Sequence, residues 1–328
     1  MKYTDNALNI LATKEFKGIG RAWIIKHLKG NESIDTIVSL INSKSKEESN
    51  ISIQDFENCK NNILKKIEPF QEAYDGIVAI GDKDFPKYRG NVKESERPIF
   101  LFYKGDLSLL DSENINISVI GLLNPEEEII EREKRLVAEL VKKNVIIVSG
   151  LAFGCDSVAH IQALEGGKTI AILPSPLHNI LPVKNKGLAF KIVEKGGLLI
   201  SEYYKDFSNP RELTTRYVER DRLQALFCDI IILAASYAQD SATRWRKLSG
   251  QKLDSGARLA MGYAKDYGIP RALMYDNEKD NKNPMFDLNR QLLSEGEVTI
   301  LTPKKIESIV TEIAKNKNNI YEQTTLFN

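Results

Sequence analysis

From residue 115 onward, short apolar runs alternate with longer stretches in which apolar residues recur every three or four positions. That texture predicts βαβ units on a parallel sheet. Strands are predicted at 117–120, 145–148, 169–173, 198–200, 230–234 and 272–275. Local chemistry bounds the helix between the first two: Asn124 can cap it, Pro125 suits its first turn, and Glu126, Glu127 and Glu128 favour the positive end of its dipole. Ile130, Val137 and Val141 then fall on one stripe. Right-handed crossovers make such a series a doubly wound, Rossmann-like α/β sheet, whose ligands collect at the carboxyl ends of the strands.

The chain before this region has a different period. Leu8 and Leu11, then Trp23, Ile24, Ile25 and Leu28, repeat at helical spacing around the turn Lys17-Gly18-Ile19-Gly20. The turn is either a plain connection between packed helices or a helix-hairpin-helix whose backbone amides meet a phosphate. The polar run 42–50 is an expected exposed loop. The predicted organisation is a small helical module over 1–75, a Rossmann-like domain with its lead-in over 76–302, and a tail over 303–328. The tail is expected to hold one helical run and a mobile end.

Composition narrows the function. Length alone, 328 residues, predicts about two domains. Lys and Arg total 46 against 45 Asp and Glu, a net charge of +1, so any nucleic-acid surface must be local. Cys59, Cys155 and Cys228 are odd in number and lack a CxxC, which argues against a disulfide framework or a zinc site. With only His27, His160 and His178, a multi-histidine metal centre is not expected, and no cofactor is implied. No apolar run approaches the roughly eighteen residues of a membrane span, and the amino terminus lacks a signal-peptide core. A cytoplasmic protein without membrane contact is the expectation.

The richest candidate segment is Ser149-Gly150-Leu151-Ala152-Phe153-Gly154-Cys155-Asp156-Ser157-Val158-Ala159-His160, a small-residue turn that feeds a helix. Its glycines either let amides approach an anion or are purely structural. Asp156 and His160 share a helix face, as a cap and a packed ring or as an acid–base pair. Gly167-Lys168-Thr169 imitates the end of a P-loop, but the first glycine of that motif would fall at Gln162.

Beyond these residues, several ordered motifs resemble the DNA-processing protein A (DprA/Smf) family. They are the 149–160 segment, Ala163-Leu164, Gly166 to Leu173, and Gly196-Gly197-Leu198-Leu199-Ile200-Ser201-Glu202. Upstream, Asp84-Phe85-Pro86 and the run from Pro98 to Gly105 resemble the family's lead-in. Downstream, Arg220-Asp221-Arg222 resembles its Arg-Asn-Arg signature, and Ser255-Gly256-Ala257-Arg258 with Ala260 resembles its Ser-Gly helix start. The likeness covers roughly 81–275.

The resemblance implies a non-catalytic homodimer that binds single-stranded DNA and loads a RecA-type recombinase in DNA uptake, repair or defence. It places Gly150 and Gly154 at the border of a phosphate pocket and Arg220 and Arg222 on its positive wall, with Phe153 available to stack on a base. Arg220 and Arg222 are alternatively structural, paired with Glu219 or Asp221. Two departures stand out: Gly121-Leu122-Leu123 replaces the family's Gly-Ser-Arg, and Phe153 replaces a basic residue. The divergent 237–253 stretch brings Arg244, Arg246, Lys247 and Lys252 around Trp245. It either supplies the lost phosphate contacts or is a solvated loop. The end, Gln323-Thr324-Thr325-Leu326-Phe327, resembles the QxxLF peptide that docks on the DNA sliding clamp, with Gln323, Leu326 and Phe327 as its anchors. A competing reading makes the pocket a nucleotide sensor or a nucleotide-processing site, as in related phosphoribohydrolases. Their Pro-Gly-Gly-x-Gly-Thr run has no counterpart in this sequence.

Overall fold

A computed structural model describes residues 1–44, 50–251, 253 and 256–325. The chain opens with four helices, α1 (Asp5–Glu15), α2 (Arg21–His27), α3 (Ile34–Lys44) and α4 (Ile53–Ile67). Thr4 caps α1, and Ser52 with Asp55 forms a reciprocal capping box on α4. Gly18, at a φ of 79°, supplies the left-handed turn between α1 and α2. The side-chain amide of Asn42 accepts from the Ile51 N–H and donates to its carbonyl, which ties together the two ends of the polar stretch. Residues 45–49 of that stretch lie outside the described residues.

A nine-stranded sheet follows: β1 (Gly76–Ala79), β2 (Phe100–Gly105), β3 (Asn116–Ile120), β4 (Ile146–Ser149), β5 (Thr169–Leu173), β6 (Leu198–Ser201), β7 (Ile230–Leu233), β8 (Arg271–Leu273) and β9 (Thr299–Ile300). Their spatial order is β1-β2-β6-β5-β4-β3-β7-β8-β9. The seven strands from β6 to β9 in that row run parallel, while β1 and β2 add an antiparallel edge. The crossovers carry α5 (Glu127–Val141), α6 (Cys155–Ala163), α7 (Lys186–Glu194), α8 (Pro210–Leu226), α9 (Ser241–Arg244), α10 (Ala257–Tyr267) and α11 (Asp287–Glu295), and α12 (Pro303–Thr325) follows β9. The strand order reverses between β3 and β7, which places the topological switch at the carboxyl end of β3.

Both faces of the sheet are covered, as a parallel sheet requires. Alternate residues of one strand enter different cores: Ile170, Ile172, Leu198 and Ile200 pack in one, and Ala171, Leu173 and Leu199 in the other. The second core includes Leu8, Leu11, Ile24, Phe56 and Ile67, so the helical segment 1–75 shares apolar packing with the sheet through Phe100, Phe102 and Tyr204. Polar contacts reinforce that junction. Arg21 Nη2 lies 3.2 Å from Glu219 Oε2, and the Tyr204 hydroxyl donates to Glu15 at 3.0 Å.

All six predicted strands are present, shifted by a residue or two at some ends. Helix α5 begins later than expected, with Glu126 rather than Asn124 at the cap position. Its buried stripe is Ile129, Glu133, Leu136, Val137 and Leu140, while Ile130 and Val141 are half-buried. A glutamate occupies one position of the stripe, so the apolar pattern alone places it off by a residue. The tail also differs: α12 runs on through 316–319 to Thr325 where a mobile end was expected. Lys317 accounts for part of this, donating from Nζ to the carbonyls of Ser112 (2.7 Å) and Asn114 (2.8 Å) and pairing with Asp229 at 2.8 Å.

Glu133 is fully buried beside the weakly donating Cys155 thiol, and among the described residues its carboxyl oxygens meet no stronger donor. Burial pushes its pKa well above the ordinary carboxylate value, so the folded state holds it neutral. As pH rises past the carboxylate range, the unfolded chain releases this proton and the folded chain does not, so stability is lost toward alkaline pH. Glu133→Gln removes that linkage. Urea unfolding should show the variant gaining on the wild-type protein between pH 5 and pH 8, and a constant gap would mean that Glu133 is ionised in the fold.

Candidate functional site

The turn after β4 is built by close approach. A Cβ at Gly150 would lie 1.1 Å from Arg220 Nη1, so only glycine leaves room for the guanidinium that rests there. Gly154 has a φ of 67°, and a Cβ on it would meet the Leu122 carbonyl at 2.1 Å. Asp156, near the start of α6, turns its carboxylate back into the turn and accepts from the N–H of Gly150 (3.1 Å) and of Ala152 (3.2 Å). Two of the turn's amides are therefore engaged by the chain's own carboxylate rather than open to an external anion. Burial raises the pKa of Asp156, against the opposing pull of Arg220 and of the turn amides.

Helix α8 supplies the opposite wall. Tyr217, Arg220, Asp221 and Gln224 recur at i, i+3, i+4 and i+7 and share one helix face. Arg220 is buried, with Nε 3.3 Å from Asp221 Oδ1 and Nη1 3.8 Å from Asp156 Oδ2. Neither of these nitrogens makes a hydrogen bond among the described residues. The Gln224 amide, oriented to satisfy its neighbours, donates to Asp221 Oδ1 at 3.1 Å and accepts from the Gly150 N–H at 3.0 Å.

These groups floor a cavity of about 360 Å³ at the carboxyl ends of β3 and β4. Its lip is apolar and aromatic: Leu123 is 45% exposed, Phe153 is 41% exposed, and Tyr217 and Pro182 complete the wall. Leu123 and Phe153 are the two positions at which the resemblance leads us to expect basic residues. Gly256 and Ala257 of the Ser-Gly motif also line it, with Gly256 pressed against Asp221, while Ser255 lies outside the described residues.

The structure separates the expected site residues. Phe153 and Arg220 line the cavity, and Gly150 and Gly154 shape the turn beneath it. Arg222 does not line it. Two positions from Arg220, it points about 200° away around α8, where Nη2 and Nη1 meet Glu202 at 2.7 Å and Nε donates to the Glu96 carbonyl at 2.7 Å. It is a structural ion pair, with Glu202 as the carboxylate rather than Glu219 or Asp221. Arg244, Arg246 and Lys247 are not cavity-lining residues either. Arg244 pairs with Asp240 at 2.6 Å, and the Trp245 indole donates to buried Asp287 at 2.7 Å, which pins the divergent stretch to α11. Arg246 and Lys247 are exposed, and Lys252 lies outside the described residues. Gln323 falls within α12, whereas Leu326 and Phe327 lie outside the described residues.

His160 is a packed ring. Thr169 Oγ1 donates to the Ile147 carbonyl (2.8 Å), so it accepts from His160 Nδ1–H at 2.7 Å. Burial, helped by Arg220, lowers the His160 pKa to about 3. Among the described residues no group of three or more His, Cys, Asp and Glu is placed to hold a metal ion.

A family model described as DNA recombination-mediator protein A matches residues 76–243, just over half of the chain. The chain belongs to that family. Among curated members, Protein Smf of Borreliella burgdorferi is 32% identical over 127 residues, covering 38% of this chain and 39% of its own. DNA processing protein DprA of Streptococcus pneumoniae is 34% identical over 142 residues, covering 42% and 47%. The matched part thus spans less than half of either relative's length. In three dimensions, DNA processing protein A from Streptococcus pneumoniae superposes with a TM-score of 0.68 at 22% identity over 94% of this chain and 98% of that one, a likeness of fold. A DNA processing protein A from Helicobacter pylori, described for its single-stranded DNA binding mode, gives 0.53 at 25% identity over 72% and 99%.

Sequence reading missed Tyr217, Asp221 and Gln224 as wall residues, although their helical spacing around Arg220 was the available signal. The Gly150–Arg220 approach is directly testable. Gly150→Ala should destabilise by about 1–3 kcal/mol through overpacking. In an Arg220→Ala background the same change should cost clearly less, and equal costs in a urea-denaturation cycle would show that the two residues do not meet.

Proposed function

We propose that this chain binds single-stranded DNA by admitting a base into the switch-point cavity, and that it acts as a recombination mediator that presents the strand to a RecA-type recombinase. The observation that carries the reading is Arg220, a buried guanidinium with two nitrogens that make no hydrogen bond among the described residues, facing a cavity with an aromatic lip. Buried donors left unsatisfied are costly, and a ligand acceptor that completes them is favoured.

The charge arrangement selects what enters. Arg220 is flanked by Asp156 and Asp221, so the floor carries one positive and two carboxylate groups and offers little attraction to a phosphate. A nucleobase suits it better: carbonyl and ring-nitrogen acceptors can meet Arg220, and the ring faces can lie against Phe153 and Tyr217. Family membership supports the wider role, as does the single-stranded DNA binding described for the Helicobacter pylori relative. Binding rather than catalysis is supported by the engagement of nearby titratable groups: His160 is held neutral against Thr169, and Asp156 is occupied by two amides. A docking role for the Gln323–Phe327 peptide on the sliding clamp, and a homodimeric state, belong to the same proposal.

A second reading rests on the position of the cavity at the topological switch of a doubly wound sheet, where mononucleotides also bind. Fluorescence anisotropy of a labelled oligothymidylate at two salt concentrations tests the first reading. Binding should weaken as salt rises, because phosphates on the strand outside the cavity still release counterions. Arg220→Ala should weaken it about tenfold or more, in line with loss of a charge-assisted bond. Thermal stabilisation by a mononucleotide, with none by the oligonucleotide, would replace this reading with the sensor.

A further inference from the structure

The cavity lip continues into a surface of a different character. Immediately after Pro182, residues 183–195 carry Lys184, Lys186, Lys191 and Lys195 against the single acid Glu194. All four lysines are exposed. Two large apolar side chains stand among them in solvent, Val183 at 68% and Phe190 at 53% exposure. The Lys186 ammonium lies 5.7 Å from the centre of the Phe190 ring.

The segment is held rigidly to the turn that forms the cavity. The Asn185 amide donates to the carbonyls of Leu151 (2.8 Å) and Ala152 (3.1 Å) and to Ser157 Oγ (2.9 Å). On the other side of α7, Ala189 and Ile192 are buried in the core shared with the amino-terminal helices. An exposed phenylalanine on an anchored helix has no packing role to explain it. In a chain whose charges otherwise nearly cancel, four exposed lysines within thirteen residues, one of them over that ring, make a local basic and aromatic segment.

We infer that residues 183–195 form a second contact surface for single-stranded DNA, continuous with the cavity lip at Pro182, in which the lysines meet phosphates and Phe190 stacks on a base. Charge complementarity and continuity with the cavity select this occupant: a strand with one base in the cavity must leave over its lip, and a flexible polyanion with exposed ring faces matches both the ammonium groups and the phenyl ring. The nine residues of α7 extend the path by roughly 13 Å at about 1.5 Å per residue. This inference rests on the reading of the cavity as a single-stranded DNA site.

The test compares two labelled oligothymidylates, a dinucleotide that fills the cavity without running along α7 and one of about twenty nucleotides, bound to the full chain and to Lys186→Glu/Lys191→Glu and Phe190→Ser variants. These positions are exposed, and matched thermal unfolding confirms the fold. On the longer strand the lysine variant should lose about tenfold in affinity at low salt. Its log–log salt slope should become shallower by about 1.4, or about 0.7 for each phosphate contact removed. Phe190→Ser should weaken the longer strand without changing that slope, and the shorter strand should bind all three proteins alike. Equal affinity and slope on the longer strand would overturn the inference and leave the face to another partner, such as an acidic protein. Equal loss on both lengths would also overturn it, because the surface would then not be an extension. Failure of the wild-type protein to bind either strand would instead sink the reading of the cavity itself.

Discussion

The carboxylate of Asp156 is the constraint on which the carboxyl edge of the sheet depends. It sits at the start of α6, reaches back to two amides of the β4–α6 turn, and lies close enough to Arg220 to hold the guanidinium over Gly150. Removing it would release the turn, leave the Ala152 amide open and take one of two neighbouring carboxylates from a buried cation. Gly150, Arg220 and Asp156 therefore form one unit. The cavity lies beneath Leu123 and Phe153, and the missing Cβ of Gly150 is what lets the Arg220 guanidinium rest at its floor.

Helix α8 does two jobs because of its period. One face presents Tyr217, Arg220, Asp221 and Gln224 to the cavity, while Arg222 faces away and locks Glu202 and the Glu96 carbonyl together. Glu202 directly follows β6, and its neighbours Tyr203 and Tyr204 reach Glu219 and Glu15 respectively. The ion pair behind α8 thus couples the wall of the cavity to the seam with the amino-terminal helices. Two arginines that look equivalent in sequence end up with unrelated environments.

The parallel strands were legible because each is a short apolar run closed by turn residues. The antiparallel edge of β1 and β2 was not read as strands, since Gly76–Ala79 is four residues long with a glycine and an alanine in it, and pairing with a distant partner at β6 gives no local signal. In the candidate site, the glycine turn and Arg220 were legible from motif order. The face assignment of Arg222 required the helical register of α8, and the role of Asp156 required knowing that its carboxylate folds backward into the turn. The fate of Arg244 and Trp245 turned on Asp287, more than forty positions away, a contact that no local pattern encodes.

Lys317 has a consequence for geometry at the scale of the whole molecule. Its ammonium is seated on carbonyls just before β3 and on Asp229 just before β7, at the amino ends of the strands, whereas the cavity opens at their carboxyl ends. At Lys317, helix α12 therefore packs at the pole of the sheet opposite the cavity. The Lys317 stretch of α12 and the cavity thus occupy opposite poles of the sheet, and bulk added at one pole leaves the approach to the other clear.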